Sequence, residues 1–370
     1  SSSKDYRLSD ESSAIGSGIS QVNFSGFTVQ SPSIDLNGQN RPNPSGTNPD
    51  IGAFENTLSG PKYDRHEVDL NGTKDFTNIA SAINACTPND TVLIHPGTYN
   101  ESIDFGGKNI VVGSLFLTSG DSSYIENTIV DAGYQAPVAK FENGETNDAQ
   151  LVGLTLQKGW CGILVGSNGP TLRALYVKDN MTVYDGSGFQ AGCNPSLNFI
   201  IDGCTFINNN YSNYVINVCN INNDDPNTFY TIKNTKVINN SPNEAAVRFD
   251  GENAKIENSI IANNTGHGIG IVNSGFGVDI TNCTIVGNSG KGIHNLYNNN
   301  NTSFINVTNS ILWNDGDYEF GVNNDVPPTV FNVSYSIIKN ELNSFQTLST
   351  TTVNYDESTN SGYNPGLKSD

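Results

Sequence analysis

The residues of this chain with the strongest claim to chemistry are few and scattered. His267 sits between glycines in Thr265-Gly-His-Gly-Ile-Gly270, and Lys291 takes the matching position 24 residues later. An imidazole is the side chain best suited to move a proton near neutral pH, and a lysine freed of its proton can act as a base. Hydrolysis of a glycosidic bond needs two carboxyl groups flanking it. The adjacent pair Asp224 and Asp225 lies 42 residues before His267, nearly two repeats away. A lyase needs a base and positive charge to neutralise a substrate carboxylate. Arg173, Lys178 and Lys158 are the densest basic residues, but strand alternation makes Lys158 and Lys178 hard to place in one outward column. His95 and His294 each read as isolated turn or surface residues. Asp35-Leu-Asn-Gly-Gln-Asn40 alternates oxygen donors like a calcium loop but lacks the acidic residue that closes one. Arg41 is therefore expected to bridge Asp35 and Asp50. No catalytic residue, metal ligand or cofactor is assigned.

Chemistry of any kind would need a scaffold, and the scaffold is legible. Asn234-Thr-Lys-Val-Ile-Asn-Asn240, Asn258-Ser-Ile-Ile-Ala-Asn-Asn264 and Asn282-Cys-Thr-Ile-Val-Gly-Asn288 recur every 24 residues. Asn309-Ser-Ile-Leu-Trp-Asn-Asp315 follows after 27, and Gly203-Cys-Thr-Phe-Ile-Asn-Asn209 precedes by 31. A period in the twenties with short alternating strands and Asn/Gly turns predicts a β-solenoid. Alternation puts two columns inside: Cys204, Thr235, Ser259, Cys283 and Ser310, and, two residues on, Phe206, Val237, Ile261, Ile285 and Leu312. Asn209, Asn240, Asn264 and Asn288 should form a side-chain ladder from coil to coil. Cys204 and Cys283 would lie three coils, about 14 Å, apart, too far for a disulfide. Most of the six cysteines are expected to be buried free thiols.

Composition agrees with a turn-rich repeat. Only 35% of residues are hydrophobic, while Asn supplies 55 positions and Gly 37, the residues that best tolerate left-handed backbone angles. A net charge of −19 excludes nucleic acid as a partner and repels acidic polysaccharide unless a basic patch or cations intervene. No apolar stretch approaches the roughly 20 residues of a membrane-spanning helix, and no signal segment opens the chain, so no membrane insertion is expected and Ser1 reads as a processed N-terminus.

Asp75-Phe-Thr-Asn-Ile-Ala-Ser-Ala-Ile-Asn-Ala-Cys86 has apolar residues at helical spacing, at 76, 79, 80 and 83, before the strand Thr91-Val-Leu-Ile-His95 and the turn Pro96-Gly-Thr-Tyr99. A short helix there would bury the open first coil and block edge pairing. With Gly106-Gly-Lys-Asn-Ile-Val-Val112 behind it, this stretch resembles the start of the right-handed parallel β-helix superfamily that includes pectate lyases, pectin esterases and polygalacturonases. The resemblance spans about residues 63 to 340. It implies an all-β fold, a right-handed parallel β-helix with a short N-terminal capping α-helix. Gly266-His-Gly268 is similar to a polygalacturonase turn, but the basic pair expected one coil later is missing, so the turn reads as structural.

A second resemblance joins the two ends. Tyr363-Asn-Pro-Gly-Leu-Lys-Ser-Asp370 placed before Ser1-Ser-Ser-Lys-Asp-Tyr-Arg-Leu8 is similar to the phrase that closes secreted β-helix modules. Its later pieces are Ser12-Ser-Ala-Ile15, Asp35 to Arg41, and Asp50-Ile-Gly-Ala-Phe-Glu55, here ahead of the coils instead of behind them. This permutation implies three parts: a joining segment 1–62, a β-helix 63–350 and a joining tail 351–370. The expected joint uses Asp5, Tyr6, Arg7, Leu8, Ile15, Ile34, Asp35, Arg41, Asp50, Ile51, Phe54, Asn364, Pro365 and Leu367. Expected partners are copies of the chain, head to tail, in an extracellular or cell-surface filament, stalk or adhesin. The alternative is a polysaccharide-active lyase, glycoside hydrolase or carbohydrate-binding module.

Overall fold

The computed structural model describes every residue except 1–5, 11, 13, 25, 59, 61–62, 167, 183–184, 193–197, 220–229, 251–252, 273–276, 298–301, 324–327, 347 and 368–370. Two compact units result, Ser1–Arg65 and His66–Asp370.

The larger unit is a parallel β-helix built from three sheets of 12, 10 and 9 strands. One coil comprises the strands Ala254–Glu257, Ile260–Ala262 and His267–Val272, one in each sheet. The chain then returns one layer on, where Ala254 pairs with Val278 and Ile260 with Thr284, so the 24-residue sequence period is the length of one coil. The corner between the first and second strands turns on a single left-handed residue. Asn234, Asn258, Asn282 and Asn309 hold it at φ of 52, 48, 55 and 50°. Asparagine enters this conformation more cheaply than branched residues do, which is why the repeat begins with it.

The interior follows the two columns read from the sequence. Phe206, Val237, Ile261, Ile285 and Leu312 are fully buried, and so are the small residues two positions before them. Those small residues are polar for a reason: the hydroxyls of Thr235, Ser259, Ser310 and Ser336 accept the backbone N–H of the residue one coil earlier. Aromatic rings stack along the core, as in Phe199 on Tyr230 at 5.3 Å between centroids.

The asparagine ladder is longer than the repeat suggested. Asn180, Asn209, Asn240, Asn264, Asn288 and Asn314 are all buried. Each donates its side-chain amide to the Oδ1 of the next at 2.8–3.1 Å. Asn314 ends the row by donating to the buried Glu319 carboxylate at 2.7 Å. A buried amide costs several kcal/mol unless bonded, so the ladder satisfies itself rung by rung.

The expected cap is helix α1, Ile79–Ala85. Asn78 Oδ1 caps Ser81 N, and the Glu101 carboxylate accepts Ile79 N–H and Ala80 N–H at 2.9 Å each, leaving few orphan donors at its N-terminus. Its buried face is Ile79, Ala82 and Ile83, whereas Ala80 is exposed. Cys86, Cys161, Cys204 and Cys283 are free and buried. Burial pushes the Cys161 and Cys204 thiols up to about 12, so they are inert packing groups. Cys219 is disulfide-bonded, and Cys193 lies outside the described residues.

Residues 351–370 are not simply a tail. Thr351–Tyr355 pairs in parallel with Thr329–Ser334 as the last strand of the first sheet, because its alternating residues continue the inward column.

The smaller unit contains an antiparallel hairpin, Gln21–Phe24 with Phe27–Gln30. Ile15 is its one fully buried apolar side chain among the described residues.

Candidate functional site

The expected joint residues of the smaller unit are organised by carboxylates. Asp35 Oδ1 accepts the N–H groups of Asn37 and Gln39, each at 2.8 Å, and its Oδ2 accepts Glu55 N–H at 3.0 Å. Asp50 accepts Gly16 N–H at 2.7 Å and Asn56 N–H at 2.6 Å. Glu55 accepts Asn43 N–H and Asp50 N–H. Arg41 does not bridge Asp35 and Asp50 as its spacing suggested. Its Nε meets Glu55 at 2.8 Å, and its guanidinium also donates to Gly52 O. Both aspartates are spent on backbone N–H groups, which leaves the glutamate to take the arginine. Donation by Glu55 N–H chiefly, with a weaker pull from Arg41, holds the Asp35 carboxyl below its ordinary value.

This network displays apolar side chains outward. Ile34, Leu36 and Ile51 are 54%, 73% and 57% exposed, while Ile15 is buried and Phe54 half-buried. Tyr6 is exposed, and Arg7 and Leu8 line a cleft of about 500 Å³ with Asp10, Glu55 and Asn56. Asp5 lies outside the described residues. In the larger unit, Leu367 and Tyr363 are exposed around Asn364 and Pro365. A second cleft of about 560 Å³ runs along the last strands of the first sheet, lined by Asn332, Asn354 and Tyr355 among others. Among the described residues, 19 large hydrophobic side chains stand out as exposed, of which nine precede residue 71 and four follow residue 334.

The catalytic candidates come together differently from their sequence reading. His267 opens a strand rather than a turn and is not alone. Its Nδ1 accepts Lys291 N–H at 2.9 Å, which places the proton of the neutral ring on Nε2, facing His294 Nδ1 at 2.9 Å. Burial, reinforced by the nearby Lys291 charge, pushes His267 down to about 4 and His294 down to about 3. Both rings are neutral at neutral pH. The isolation expected of His294 is thus corrected, and so is that of His95, whose Nε2 lies 2.9 Å from Glu67.

The histidines end a polar stripe on the third sheet that sequence reasoning missed. Register aligns Gln190, Asn217, Arg248, Gly270 and His294. Arg248 donates to Asn217 and pairs with Asp250 at 2.9 Å, while Tyr214 O–H donates to Glu244. The aligned positions lie 22 to 31 residues apart, so only coil-by-coil register could have found the column. Lys158, weighed as a lyase base, is bound to Asp131 at 2.8 Å. Asp224 and Asp225 lie outside the described residues.

Solved structures similar to this chain include a pectin methylesterase from carrot, at 11% identity and a TM-score of 0.42, with 79% of this chain and 89% of that chain covered. ORF18 of Geobacillus virus E2 aligns at 14% identity and TM-score 0.39, covering 69% of this chain and 57% of that one. A rhamnogalacturonan lyase aligns at 12% identity and TM-score 0.37, covering 80% and 86%. No curated protein matches the sequence. Residues 108–309 match the family described as right handed beta helix region, more than half of the chain and all of it inside the coiled unit. With the parallel three-sheet coil beneath that match, the chain belongs to the right-handed β-helix family.

Proposed function

We propose that this protein is an extracellular assembly module whose residues 1–65 cover the C-terminal end of another copy, giving a head-to-tail filament or stalk. The observation that carries this reading is the imbalance within residues 1–65. Among its described residues Ile15 is the one fully buried apolar side chain, and its turns are held instead by Asp35, Asp50 and Glu55. The carboxylate network specifies a shape, while burial of apolar surface is the dominant favourable contribution to folding and association. A segment so built needs an outside apolar surface, and it presents Ile34, Leu36 and Ile51 for one.

The far end of the solenoid supports the complement. Helix α1 caps the first coils, whereas no α-helix caps the last coil among the described residues, and Tyr363 and Leu367 stand exposed there. Two different patches, one in each unit, make a heterologous contact, and heterologous contacts that do not close generate filaments.

Sedimentation over a wide concentration range, with electron microscopy of the products, tests this. Linear polymers should form, shorten when Ile34→Asp and Ile51→Asp are combined, and vanish when residues 1–62 are removed, with the coiled unit still folded. A monodisperse monomer at high concentration would overturn the reading. Release of unsaturated sugar ends from pectin or alginate, lost in His267→Ala or Lys291→Ala, would replace it with an enzymatic one.

A further inference from the structure

Three donor side chains that play no part in the joint or in the histidine stripe converge where the β-helix begins. His66 lies on the strand Arg65–Val68, Cys86 follows the last residue of α1, and Asp90 precedes the strand Thr91–Ile94. One ligand atom from each lies within 4.8 Å of the other two, and His66 Nε2 is 3.7 Å from Asp90 Oδ2. Tetrahedral zinc, with bonds of about 2.0–2.3 Å, spaces its donors about 3.3–3.6 Å apart, so closing on an ion needs shifts of about 1 Å or less.

Two features separate this cluster from a chance meeting. His66 Nε2 is buried and makes no hydrogen bond, although it points at two potential ligands. The partners are also held in place. Phe76 meets the imidazole edge-on at 5.7 Å, and Thr87 donates both its N–H and its hydroxyl to Asp90 Oδ2, the kind of outer support that metal ligands need. Lys108 Nζ is occupied by the Ile83 and Asn84 carbonyls at the end of α1, which fixes where its charge sits.

We propose that His66, Cys86 and Asp90 form a site for a zinc-class divalent cation that clips the first strand, the capping helix and the second strand together. The His66 side chain is 20% exposed, and water would supply the fourth ligand of a tetrahedral ion held by these three. Coordination by sulfur releases the thiol proton to solvent. The other free cysteines, at 161, 204 and 283, are buried in the coils, so a thiolate signal would report Cys86.

The test is titration of the chelator-stripped full chain with Co(II), then with Zn(II). The expected result is one equivalent of Co(II) with a thiolate-to-cobalt charge-transfer band and tetrahedral ligand-field bands, displaced by Zn(II). Zn(II) at a hundredfold excess over its Kd should raise Tm by about 5 °C. Cys86→Ser should abolish the charge-transfer band, and His66→Ala should weaken binding by more than about tenfold, since even outer-shell partners cost about that much. His66→Ala guards against misfolding of the Cys86 variant, because its ring is only partly buried and Tm without metal reports its fold. Binding without a charge-transfer band, a band that survives in both variants, or no stoichiometric binding would each overturn the proposal.

Discussion

The two units of this chain are stabilised by opposite means. In the coiled unit the layers share an apolar interior, joined from Asn180 to Asn314 by an amide ladder and at Thr235, Ser259, Ser310 and Ser336 by hydroxyls, so coils bury one another and polar groups pair across layers. In residues 1–65 the organisers are Asp35, Asp50 and Glu55, which gather backbone N–H groups from distant turns around Ile15, the one fully buried apolar side chain among the described residues. The first is a core that builds its own surface. The second is ordered mainly by hydrogen bonds and turns apolar side chains outward, and the contrast teaches that buried carboxylates can specify a conformation where apolar packing is sparse.

Substitutions should separate the two regimes. The largest effect is expected inside the coils: Phe206→Ala removes a fully buried ring and should cost about 3–5 kcal/mol, read as a fall in the denaturant midpoint of the coiled unit. Retention of that midpoint would show that the column is not the main support.

Glu55→Gln should act locally. It weakens the pairing with Arg41 and the acceptance of Asn43 and Asp50 N–H groups, a loss of about 2 kcal/mol. Limited proteolysis should then cut within residues 1–65 while the coiled unit keeps its Tm. If both units weaken together, the proposed independence of the two regimes fails.

Acid should strike the units in a definite order. His267 and His294 have depressed values in the folded state, so their contribution is complete above the ordinary histidine value and is lost as pH falls from about 6.5 toward about 4 and about 3. Asp35 is also depressed, but from a lower starting value, so its contribution persists until pH falls below about 4. Tm of the coiled unit should therefore decline between pH 6.5 and 4.5, before proteolysis of residues 1–65 accelerates. The reverse order would contradict these assignments.

The smallest effect is expected on the outside of the coils. Asn332 and Asn354 continue a partly exposed amide ladder from Asn306, where water competes for the bonds. Asn332→Ala should change stability by less than about 0.5 kcal/mol, whereas Asn264→Ala in the buried ladder should cost about 1–3 kcal/mol, a gap that paired thermal melts can resolve.

The sequence by itself determined the repeat. Its period, the inward columns and the asparagine corners are local statements, since alternation and left-handed angles are decided within one coil, and a 24-residue spacing, lengthened to 27 and 31 by insertions, transmits them to the next. It also announced helix α1, because an apolar face at helical spacing needs no distant partner to be recognised. Only the tertiary structure decided which residues meet across coils. Arg41 goes to Glu55 because the aspartates nearer its expected place are filled by backbone donors. His294 finds His267 because irregular insertions between coils still leave the third sheet in register, and no spacing rule predicts that. His66, Cys86 and Asp90 converge because a strand, a helix end and a turn are wound onto the same first layer. Side chains that act along one strand are written in the order of the chain, whereas those that act between layers depend on the length of every loop in between.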